Sequence, residues 1–406
     1  MFYKVYVCGP TVYNHVHIGN IRPILSIDLV LKAARNLGKN FQFVHNITDI
    51  DDKIIQRALQ ENVSEKEIAQ KYTIEYFWIL KKLNIDTISK IEFVTQNLIY
   101  IENFIENLIS SKNAYKDREG NVWFDVEKNK KNYGLVSNQK LENMKYQETE
   151  YLKRHQADFS IWKNTIDGIR YKTKFGYGRP GWHTECCALI YKNFGSEGVD
   201  VHGGGVDLTF PHHENENIQF FALTGNNIAK KWVHSGMLNL NGVKMSKTFQ
   251  NVILAKNFLQ EYDPDVLKFI ILINSFTGII NIDDNLIHNV NKIINKIKKI
   301  YFNNYKNHHF ILPHYQDVYK RAMNLLLELN FSDFMTLIHK LIKESATDFK
   351  SNGTLVKIFN DLEFNFKKFD YKKYLEMMKK WEKLSKEKNF TESDLIREIL
   401  IKEGIF

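Results

Sequence analysis

Four side chains of the types that ligate zinc lie in three short segments of this chain. They are Cys8 in VCGPTVYNHVHIGN (residues 7–20), Cys186 in GRPGWHTEC (178–186), and His212 and Glu216 in FPHHENEN (210–217). Thiolate, imidazole and carboxylate together form a donor set for zinc. Two of the segments also have the character of nucleotide-handling loops, so a metal held by these residues would lie beside bound ATP. That combination predicts an enzyme that recognises a thiol while it activates a substrate with ATP.

The loop at residues 15–20 has the residue types of a phosphate-binding loop. It lies between a predicted strand and a predicted helix, where open parallel sheets bind ligands and a helix N-terminus favours phosphate. Gly19 would let the backbone approach a nucleotide, and His17 could donate a hydrogen bond to phosphate oxygens as charge develops there. A His-x-His pair such as His15 and His17 also occurs in metal sites, so this loop alone leaves both interpretations open.

Two lysines flank a serine in KMSKT (244–248), which follows a predicted hairpin. Lys244 and Lys247 on a loop could neutralise a triphosphate and then release pyrophosphate. An isolated match of this kind is more typical of a solvated basic turn. Paired with the loop at residues 15–20, it predicts two segments that contact the phosphates of one nucleotide.

The predicted elements around the first loop form a βαβ unit. Residues 2–8 are typical of a buried strand and 41–47 of the next strand. Between them, Pro23 is expected to open a helix that runs to about Leu37 and ends at Gly38. The unit therefore predicts an open parallel sheet with the loop at its carboxyl edge.

Later elements position the other ligand candidates. VDVH (199–202) predicts a strand, and Pro211 is expected in the first turn of a helix. The i,i+4 spacing of His212 and Glu216 would place both side chains on one face of that helix, with His213 and its neighbour Glu214 directed elsewhere. Asn-Gly within 238–245 predicts a hairpin.

The chain is long enough for several domains, and the fold class predicted is α/β followed by all-α. The parts expected are a Rossmann-like parallel-sheet domain in two halves (1–112 and 173–235), an inserted subdomain (113–172), a region with the KMSKT loop (236–290) and a helical bundle (291–406).

The charge is concentrated in the last of these parts. Residues 291–406 hold 22 Lys and Arg against 15 Asp and Glu, a net +7 of the +9 of the whole chain. A basic helical region is typical of a module that binds a polyanion. A solvated helical face rich in lysine gives the same composition, so charge alone leaves both interpretations open.

Composition argues against secretion and membrane insertion. The chain begins almost directly in the apolar run FYKVYV, without a basic leader or a long apolar segment. Its three cysteines, two of them adjacent, do not make a disulfide framework and are expected to be metal ligands or buried thiols. These features predict a cytoplasmic enzyme with no membrane partner.

Several motifs together resemble one known family. VCGPTVYNHVHIGN resembles the first signature of class I aminoacyl-tRNA synthetases, and KMSKTFQN resembles the second. NITDIDDK (46–53), GRPGWHTEC and VHGGGVDLTFPHHENEN (201–217) are similar to cysteinyl-tRNA synthetases in particular. The resemblance covers most of residues 3–290, and EKNFTESDLIREILIKEGI (387–405) resembles a helix near the end of that family.

The resemblance implies an activity and a set of partners. The activity is activation of L-cysteine by ATP, with Mg²⁺, followed by transfer to the 3′-terminal adenosine of tRNA(Cys) without a covalent nucleophile. The implied cofactor is one zinc ion per chain that recognises the substrate thiol, with Cys8, Cys186, His212 and Glu216 as its ligands. A monomer is expected.

The resemblance also implies roles for residues around the metal. His17, Lys244 and Lys247 would be the catalytic residues. The ATP-binding residues would be His15, His17, Gly19, Asn20, Gly203, Gly204, Gly205 and Lys247. The amino-acid pocket would be lined by Thr48, Trp182, His202 and Asp207.

The chain departs from the family pattern at three points. Asn20 stands where many class I members have His, and Thr248 stands where the second signature has Ser. The chain ends at Phe406, where the family usually continues into a segment implicated in anticodon reading. These departures leave the expected chemistry unchanged and concern the way in which the chain would recognise its tRNA.

Two other functions are consistent with parts of the pattern. A zinc-dependent ligase of the same ancestry that joins cysteine to an amino-sugar would keep the metal and the adenylation chemistry but need no tRNA. An inactive paralogue that binds tRNA would need neither. The basic helical region argues against the first, and intact His17, Lys247 and metal-ligand candidates argue against the second.

Overall fold

The computed structural model describes residues 2–143, 153–245 and 251–406. Its strands are β1 (Phe2–Val7), β2 (Asn40–Ile47), β3 (Lys90–Phe93), β4 (Ala114–Lys116), β5 (Val122–Phe124), β6 (Phe159–Asn164), β7 (Tyr171–Thr173), β8 (Gly176–Pro180), β9 (Val199–Gly205), β10 (Ala229–Ser235), β11 (Leu238–Leu240), β12 (Val243–Lys244) and β13 (Ile280–Ile282).

The helices alternate with the strands as far as β13 and then follow one another without strands. They are α1 (Ile18–Asn36), α2 (Asp52–Glu61), α3 (Glu65–Lys82), α4 (Leu98–Ser110), α5 (Val126–Asn129), α6 (Trp182–Phe194), α7 (Glu214–Thr224), α8 (Ala255–Glu261), α9 (Pro264–Leu272), α10 (Asp284–Lys306), α11 (Gln316–Leu327), α12 (Phe331–Glu344), α13 (Phe349–Asp361), α14 (Tyr371–Lys386) and α15 (Phe390–Lys402).

The first sheet is parallel, with its strands in the order β10-β9-β1-β2-β3. Its central strand β1 pairs with β2 on one side and β9 on the other, so that Val7 lies opposite both His45 and Gly203. A central strand covered on both faces is mostly apolar, as in FYKVYV, where the exception, Lys4, reaches out to pair with Glu197 at 3.1 Å. The predicted Rossmann-like sheet is confirmed, and the residues that follow β1, β2 and β9 meet at its carboxyl edge.

Helix α1 begins earlier than predicted. It starts at Ile18 rather than at Pro23, because His17 is its N-cap and the Asn20 side-chain oxygen accepts a hydrogen bond from the His17 N–H at 3.1 Å. Pro23 is therefore inside the helix. The predicted end is confirmed, since Gly38 follows with a φ of 71°.

A second sheet, in the order β4-β5-β6-β8-β7, is antiparallel throughout. It is built from residues between β3 and β9, so it interrupts the parallel sheet in sequence. This sheet extends past the boundary predicted at residue 172. Its strand β8 pairs with β6, with Pro180 of β8 opposite Trp162 of β6. Helices α4 and α6 share a hydrophobic core with this sheet.

A small third sheet, in the order β12-β11-β13, follows the parallel one. The predicted hairpin is confirmed, since Asn241 and Gly242 both have positive φ angles, 49° and 81°, between β11 and β12. Strand β13 pairs with β11 in parallel. This sheet carries Lys244 at the end of β12.

The remaining helices, α10 to α15, pack against the part of the molecule that holds the parallel sheet, with α1 at the contact. Helix α10 crosses the boundary predicted at residue 290, and one continuous hydrophobic core joins α1 to residues of α9 to α13. At this junction the side chain of Lys32, fully buried in α1, pairs with Asp28 at 2.7 Å. In the part of the chain that the structure describes, no helix is both long and apolar enough to span a membrane.

Candidate metal centre and adjoining cavity

The four ligand candidates converge at the carboxyl edge of the parallel sheet. Cys8 follows β1, Cys186 lies in α6, and Glu216 lies in α7. The Cys8 sulfur is 3.7 Å from the Cys186 sulfur and 3.5 Å from Nε2 of His212. It is also 3.5 Å from Oε1 of Glu216, which in turn is 2.7 Å from Nε2 of His212.

These separations fit a tetrahedral metal with mixed ligands. Zinc–sulfur bonds of about 2.3 Å in a tetrahedral site place two sulfurs about 3.8 Å apart, close to the separation of Cys8 and Cys186. The carboxylate of Glu216 is fully buried, and its Oε2 has no hydrogen bond of normal geometry to any described residue, although Nε2 of His202 is 2.7 Å away. A buried carboxylate requires a compensating cation, so the donor set and its orphaned oxygen fit a soft divalent metal.

The charges within the cluster reinforce one another. Burial lowers the pKa of His212, but the neighbouring Glu216 carboxylate and the Cys186 thiol outweigh burial and raise that pKa to about 10. Burial raises the pKa of Glu216, yet the charges of His212 and His202 hold it well below its usual range. For the Cys186 thiol, hydrogen bonds from Cys8 and His212 outweigh burial and lower the pKa. Burial raises the pKa of the Cys8 thiol well above its ordinary value. The Cys186 thiol and the Glu216 carboxylate therefore favour the ionised forms that bind metals, whereas a metal would have to displace protons from Cys8 and His212.

One prediction about this cluster is wrong. His213 was expected to point away from the site, but its Nε2 is 3.5 Å from the Cys8 sulfur. The reason is that residues Thr209–His213 form a π-type turn with extended backbone at Phe210, so Pro211 lies in this turn and the regular helix begins only at Glu214. Helical spacing consequently does not apply at His213. A second donor set, Cys8, His202, His213 and Glu216, is equally compact.

Glu214 does point elsewhere, as predicted. Its buried carboxylate accepts hydrogen bonds from the backbone N–H groups of Gly134, Val136 and Ser137 at 2.8–3.0 Å. It therefore fixes a loop that follows α5 against the start of α7.

The thiol of Cys187, next to Cys186 in the chain, is also buried, as predicted. Its sulfur lies 3.2 Å from the Glu216 carbonyl oxygen.

Aromatic side chains form the wall behind the metal cluster. The His202 ring stacks on Trp232 at 4.6 Å, and His213 stacks on His234 at 5.0 Å. Burial lowers the pKa of His213 well below its ordinary value and that of His234 to about 4, so both rings are neutral near pH 7. The sequence analysis did not predict Trp232 and His234 as site residues. They reach the site only because β10 pairs with β9, and that pairing cannot be read from the sequence around them.

A third histidine contacts the ligand candidate His212 directly. Nδ1 of His183 is 3.1 Å from Nδ1 of His212, and the ring of Trp182 stacks on His212 at 4.2 Å. Metal-binding histidines are usually oriented by a hydrogen bond to the nitrogen that does not bind the metal. His183 lies within the GRPGWHTEC segment, which is the signal that would have pointed to it.

A cavity of about 320 Å³ extends from the metal cluster to the start of α1. Among the predicted site residues, those that line it are Cys8, His15, His17, Gly19, Asn20, Trp182, Gly205 and Asp207. Thr48, His202, Gly203 and Gly204 are not in its lining. Thr48 is buried and donates a hydrogen bond to Glu185 at 2.8 Å, and His202 lies behind the cluster.

Two of the glycines are required by histidine rings. A Cβ at Gly19 would lie 2.8 Å from Nδ1 of His17, and a Cβ at Gly204 would lie 2.7 Å from Cε1 of His213. Both distances are too short for real carbon atoms. The glycines therefore allow His17 to fold over the start of α1 and His213 to lie against β9.

His15 is oriented by residues that sequence reasoning missed. Its Nδ1 lies 2.8 Å from a carboxylate oxygen of Glu75 on α3, and its ring meets Tyr72 edge-on at 5.1 Å. Lys256 adds a cation 3.5 Å from the same carboxylate. Sequence alone gives no signal for Glu75, because 60 positions separate it from His15.

Lys244 is exposed at the end of β12, whereas Lys247 and Thr248 lie outside the described residues. The chain after this segment pairs with the start of α1. The Val16 carbonyl accepts from the Ala255 N–H at 2.9 Å, and the Ile18 N–H donates to the Ile253 carbonyl at 3.0 Å. The residues that follow KMSKT in the chain, at 253–255, therefore lie beside the loop at residues 15–20.

Comparisons with known proteins agree with this arrangement. Residues 2–292 match the family model described as the tRNA synthetases class I (C) catalytic domain. The cysteine–tRNA ligase of Mesomycoplasma hyopneumoniae is 45% identical over 98% of this chain and 96% of its own length. That of Malacoplasma penetrans is 40% identical over 99% of this chain and 95% of its own.

The fold is also similar to that of a solved methionyl-tRNA synthetase from Mycobacterium tuberculosis in complex with methionyl-adenylate. The TM-score is 0.62 at 14% identity, and the match covers 89% of each chain. At this identity the likeness concerns the fold, in which a parallel sheet is followed by a helical region.

Proposed function

The chain belongs to the cysteine–tRNA ligase family of class I tRNA synthetases, and on that premise we propose how its residues divide the reaction. The proposed substrates are L-cysteine, ATP and tRNA(Cys), and the proposed cellular location is the cytoplasm. One observation supports the assignment most strongly: the compact donor set that could hold zinc reaches, through Cys8, a cavity that is also lined by His17, Gly19 and Asn20 at the N-terminus of α1.

Cys8, Cys186, His212 and Glu216 are the residues proposed to hold one zinc ion per chain. When bound, zinc would supply a soft Lewis acid that prefers a thiolate to a hydroxyl group. Trp182, stacked on His212 and lining the cavity, would cover the bound amino acid. Asp207, farther along the same cavity, would bind either the substrate ammonium or the ribose of ATP.

Adenylate formation is assigned to the start of α1. The cysteine carboxylate attacks the α-phosphorus of ATP, and pyrophosphate leaves. The first turn of α1 contains no acidic residue, so its positive dipole end can face phosphate, although the Ile18 N–H itself already donates to the Ile253 carbonyl. His17 would donate to the phosphate oxygens, with His15, Gly19 and Asn20 shaping the contact. Lys244 and Lys247, with Mg²⁺ bound to ATP, would offset the charge that develops on the leaving pyrophosphate.

Transfer follows from the same cavity. A hydroxyl of the terminal adenosine of tRNA takes the cysteinyl group from the adenylate and releases AMP. No side chain is needed as a covalent nucleophile, because positioning and charge stabilisation supply the rate. The insert at 113–172 and the region at 236–290 are proposed to approach the tRNA acceptor end, and residues 291–406 to bind the body of the tRNA.

Cysteine-dependent exchange of pyrophosphate into ATP is the primary test. The proposed function requires exchange with L-cysteine and much weaker exchange with L-serine, since serine cannot offer a thiolate. Absence of cysteine-dependent exchange would refute it and favour the inactive paralogue. Charging of tRNA(Cys), run beside an amino-sugar acceptor, separates tRNA ligation from the other ligase chemistry.

The tRNA interaction has its own test in salt. Contacts between lysines of residues 291–406 and tRNA phosphates release counterions, so the affinity for tRNA should fall steeply as salt rises. Exchange, which needs no tRNA, should change much less over the same range. Equal salt dependence of charging and exchange would contradict the proposed role of the helical region.

A further inference from the structure

The guanidinium of Arg22 is fully buried in α1, two residues after Asn20. Its Nη1 donates to the carbonyl oxygens of Gly236 at 2.7 Å and Met237 at 3.0 Å. Its Nη2 donates to those of Ser275 at 3.0 Å and Phe276 at 2.8 Å. All four acceptors are backbone carbonyls.

These carbonyls belong to two segments that enter the small sheet. Gly236 and Met237 connect β10 to β11, while Ser275 and Phe276 lie in the turn before β13. Strands β11 and β13 pair with each other, and β12 pairs with β11 and ends at Lys244. One side chain of α1 thus holds both points at which the chain enters this sheet.

Burying a cation against neutral dipoles is unfavourable unless its hydrogen-bonding groups are well satisfied. An apolar side chain would fill the space at lower cost in desolvation, so packing alone does not require arginine here. Burial lowers the pKa of Arg22 to about 10, which still leaves it charged near pH 7. Arg22 therefore serves a geometric purpose, because its planar fork specifies the positions of four oxygens.

The two segments also touch each other closely. A Cβ at Gly236 would lie 2.2 Å from the Gly278 carbonyl oxygen and 2.5 Å from that of Thr277. The Gly236 N–H also donates to the Phe276 carbonyl at 3.1 Å. Any side chain at this glycine would force the backbone segments apart and disturb the fork's acceptors.

A second connection lies on the other side of KMSKT in the sequence. There the backbone of Ile253 and Ala255 pairs with Ile18 and Val16, at the start of α1. Along the chain, Lys244 lies between this pairing and the Arg22 contacts at Gly236 and Met237. Both connections end on the same helix, within one and a half turns of its N-terminus.

We propose that Arg22 is a positioning residue that holds the small sheet, and with it Lys244, in register with the phosphate-binding start of α1. Arg22 is not in the lining of the cavity, so it acts through the segments at Gly236 and Ser275 and touches neither substrate. The proposal rests on the proposed function, in which the start of α1 and Lys244 contact ATP.

The test uses full-length Arg22→Met and Arg22→Lys proteins in cysteine-dependent pyrophosphate exchange. Arg22→Met puts an apolar side chain of similar length in place of the guanidinium and removes all its hydrogen bonds. Arg22→Lys keeps the positive charge but offers a single ammonium group as donor. Misplacement of a charge-stabilising group by about 1 Å can reduce a rate by about a hundredfold. We expect Arg22→Met to lower kcat by about tenfold to a hundredfold, with Arg22→Lys between it and wild type.

A positioning role predicts a change in kcat without a change in cysteine binding or zinc content, whereas a general loss of stability would change all three. The KM for cysteine and the zinc content should stay within about twofold of wild type, since the metal cluster is built from other elements. Arg35→Met is the matched control: Arg35 lies in the same helix but is half-exposed and paired with Asp86 and Glu363. It should exchange at the wild-type rate.

Gly236→Ala gives a second test that leaves Arg22 in place. It should show the same loss of kcat with unchanged KM for cysteine, and it decides the matter if Arg22→Met does not fold. Wild-type kcat in the folded Arg22 and Gly236 variants would overturn the proposal, as would a loss of kcat matched by loss of zinc. Wild-type protein without cysteine-dependent exchange would instead refute the proposed function itself.

Discussion

The sulfur atoms of Cys8 and Cys186 lie 3.7 Å apart although 178 positions separate them in the chain. Cys8 follows the central strand β1, and Cys186 lies in the helix that returns the chain to the parallel sheet after the inserted antiparallel sheet. Both thiols pack in the same hydrophobic core, but packing does not account for the buried carboxylate of Glu216 beside them. A metal ion bound by both sulfurs and by this carboxylate would account for all three groups.

Substitution of Cys186 is expected to remove the metal. Cys186→Ala should lower the zinc content from about one per chain to near zero and weaken discrimination between cysteine and serine, which a pocket without metal limits to about 1–3 kcal/mol. Metal analysis of the purified proteins measures the first effect. Cys187→Ala is the matched control, because Cys187 is equally buried but is not one of the proposed ligands; loss of zinc in that variant would contradict the assignment.

His212 and His213 belong to two different compact donor sets, and substitution distinguishes them. His212→Asn should lose zinc, because the proposed set contains His212 and Cys186. His213→Asn should retain zinc, since its partner His234 and the wall at Trp232 lie outside that set. Retention of zinc in His212→Asn together with its loss in His213→Asn would assign the metal to the other donor set.

Lys247→Ala should slow adenylate formation strongly while cysteine binding changes little. In the proposed mechanism the charge of Lys247 matters most as pyrophosphate leaves, whereas cysteine would be held by zinc. Single-turnover formation of cysteinyl-adenylate and equilibrium binding of cysteine measure the two effects. Lys230→Ala, which removes an exposed lysine paired with Asp200, serves as control. Collapse of cysteine affinity with a normal activation rate would show that Lys247 has a different role.

Glu92 links the sheet to the helix of Cys186 and should make stability depend on pH. Burial raises its pKa, but hydrogen bonds from Lys90, Asn193, Lys192 and Asn97 outweigh burial and lower that pKa to about 2. A lowered carboxyl pKa gives stability that is fully present above the usual value of about 4.3 and is lost as the pH falls toward about 2.

Glu92→Gln should therefore lower the free energy of unfolding by about 1–3 kcal/mol at pH 7. The difference between variant and wild type should shrink as the pH falls from about 5 towards 3, because wild-type Glu92 then loses its advantage. Urea unfolding at several pH values measures this. A difference that does not vary with pH would mean that the carboxylate charge is not what stabilises the contact.

Local pattern predicted much of the fold. The Asn-Gly hairpin and the end of α1 just before Gly38 are both present, because each depends on a few neighbouring residues. The start of α1 was placed too late, since a proline is a common but not obligatory first-turn residue. His213 was misjudged because an irregular turn replaced the helix that its spacing assumed.

Contacts between distant segments could not be predicted. The resemblance to a family supplied the four ligand candidates, but nothing in the sequence pairs Glu75 with His15 or Arg22 with the Gly236 carbonyl. The helical region also proved less separable than its charge suggested. It shares one hydrophobic core with α1, so removing residues after Val290 would expose the back of the catalytic sheet.

The sheet order β10-β9-β1-β2-β3 also sets a sequence of events during translation. Strand β1 emerges from the ribosome first and can pair with β2 early, but its other edge must wait for β9. At about 5–20 residues per second that wait lasts roughly 10–40 s. Throughout it, an apolar edge and the Cys8 thiol stay open to other nascent chains and to oxidants. The parallel sheet is thus completed only after more than half of the protein has been made, and Glu216 is the last of the four proposed metal ligands to be synthesised.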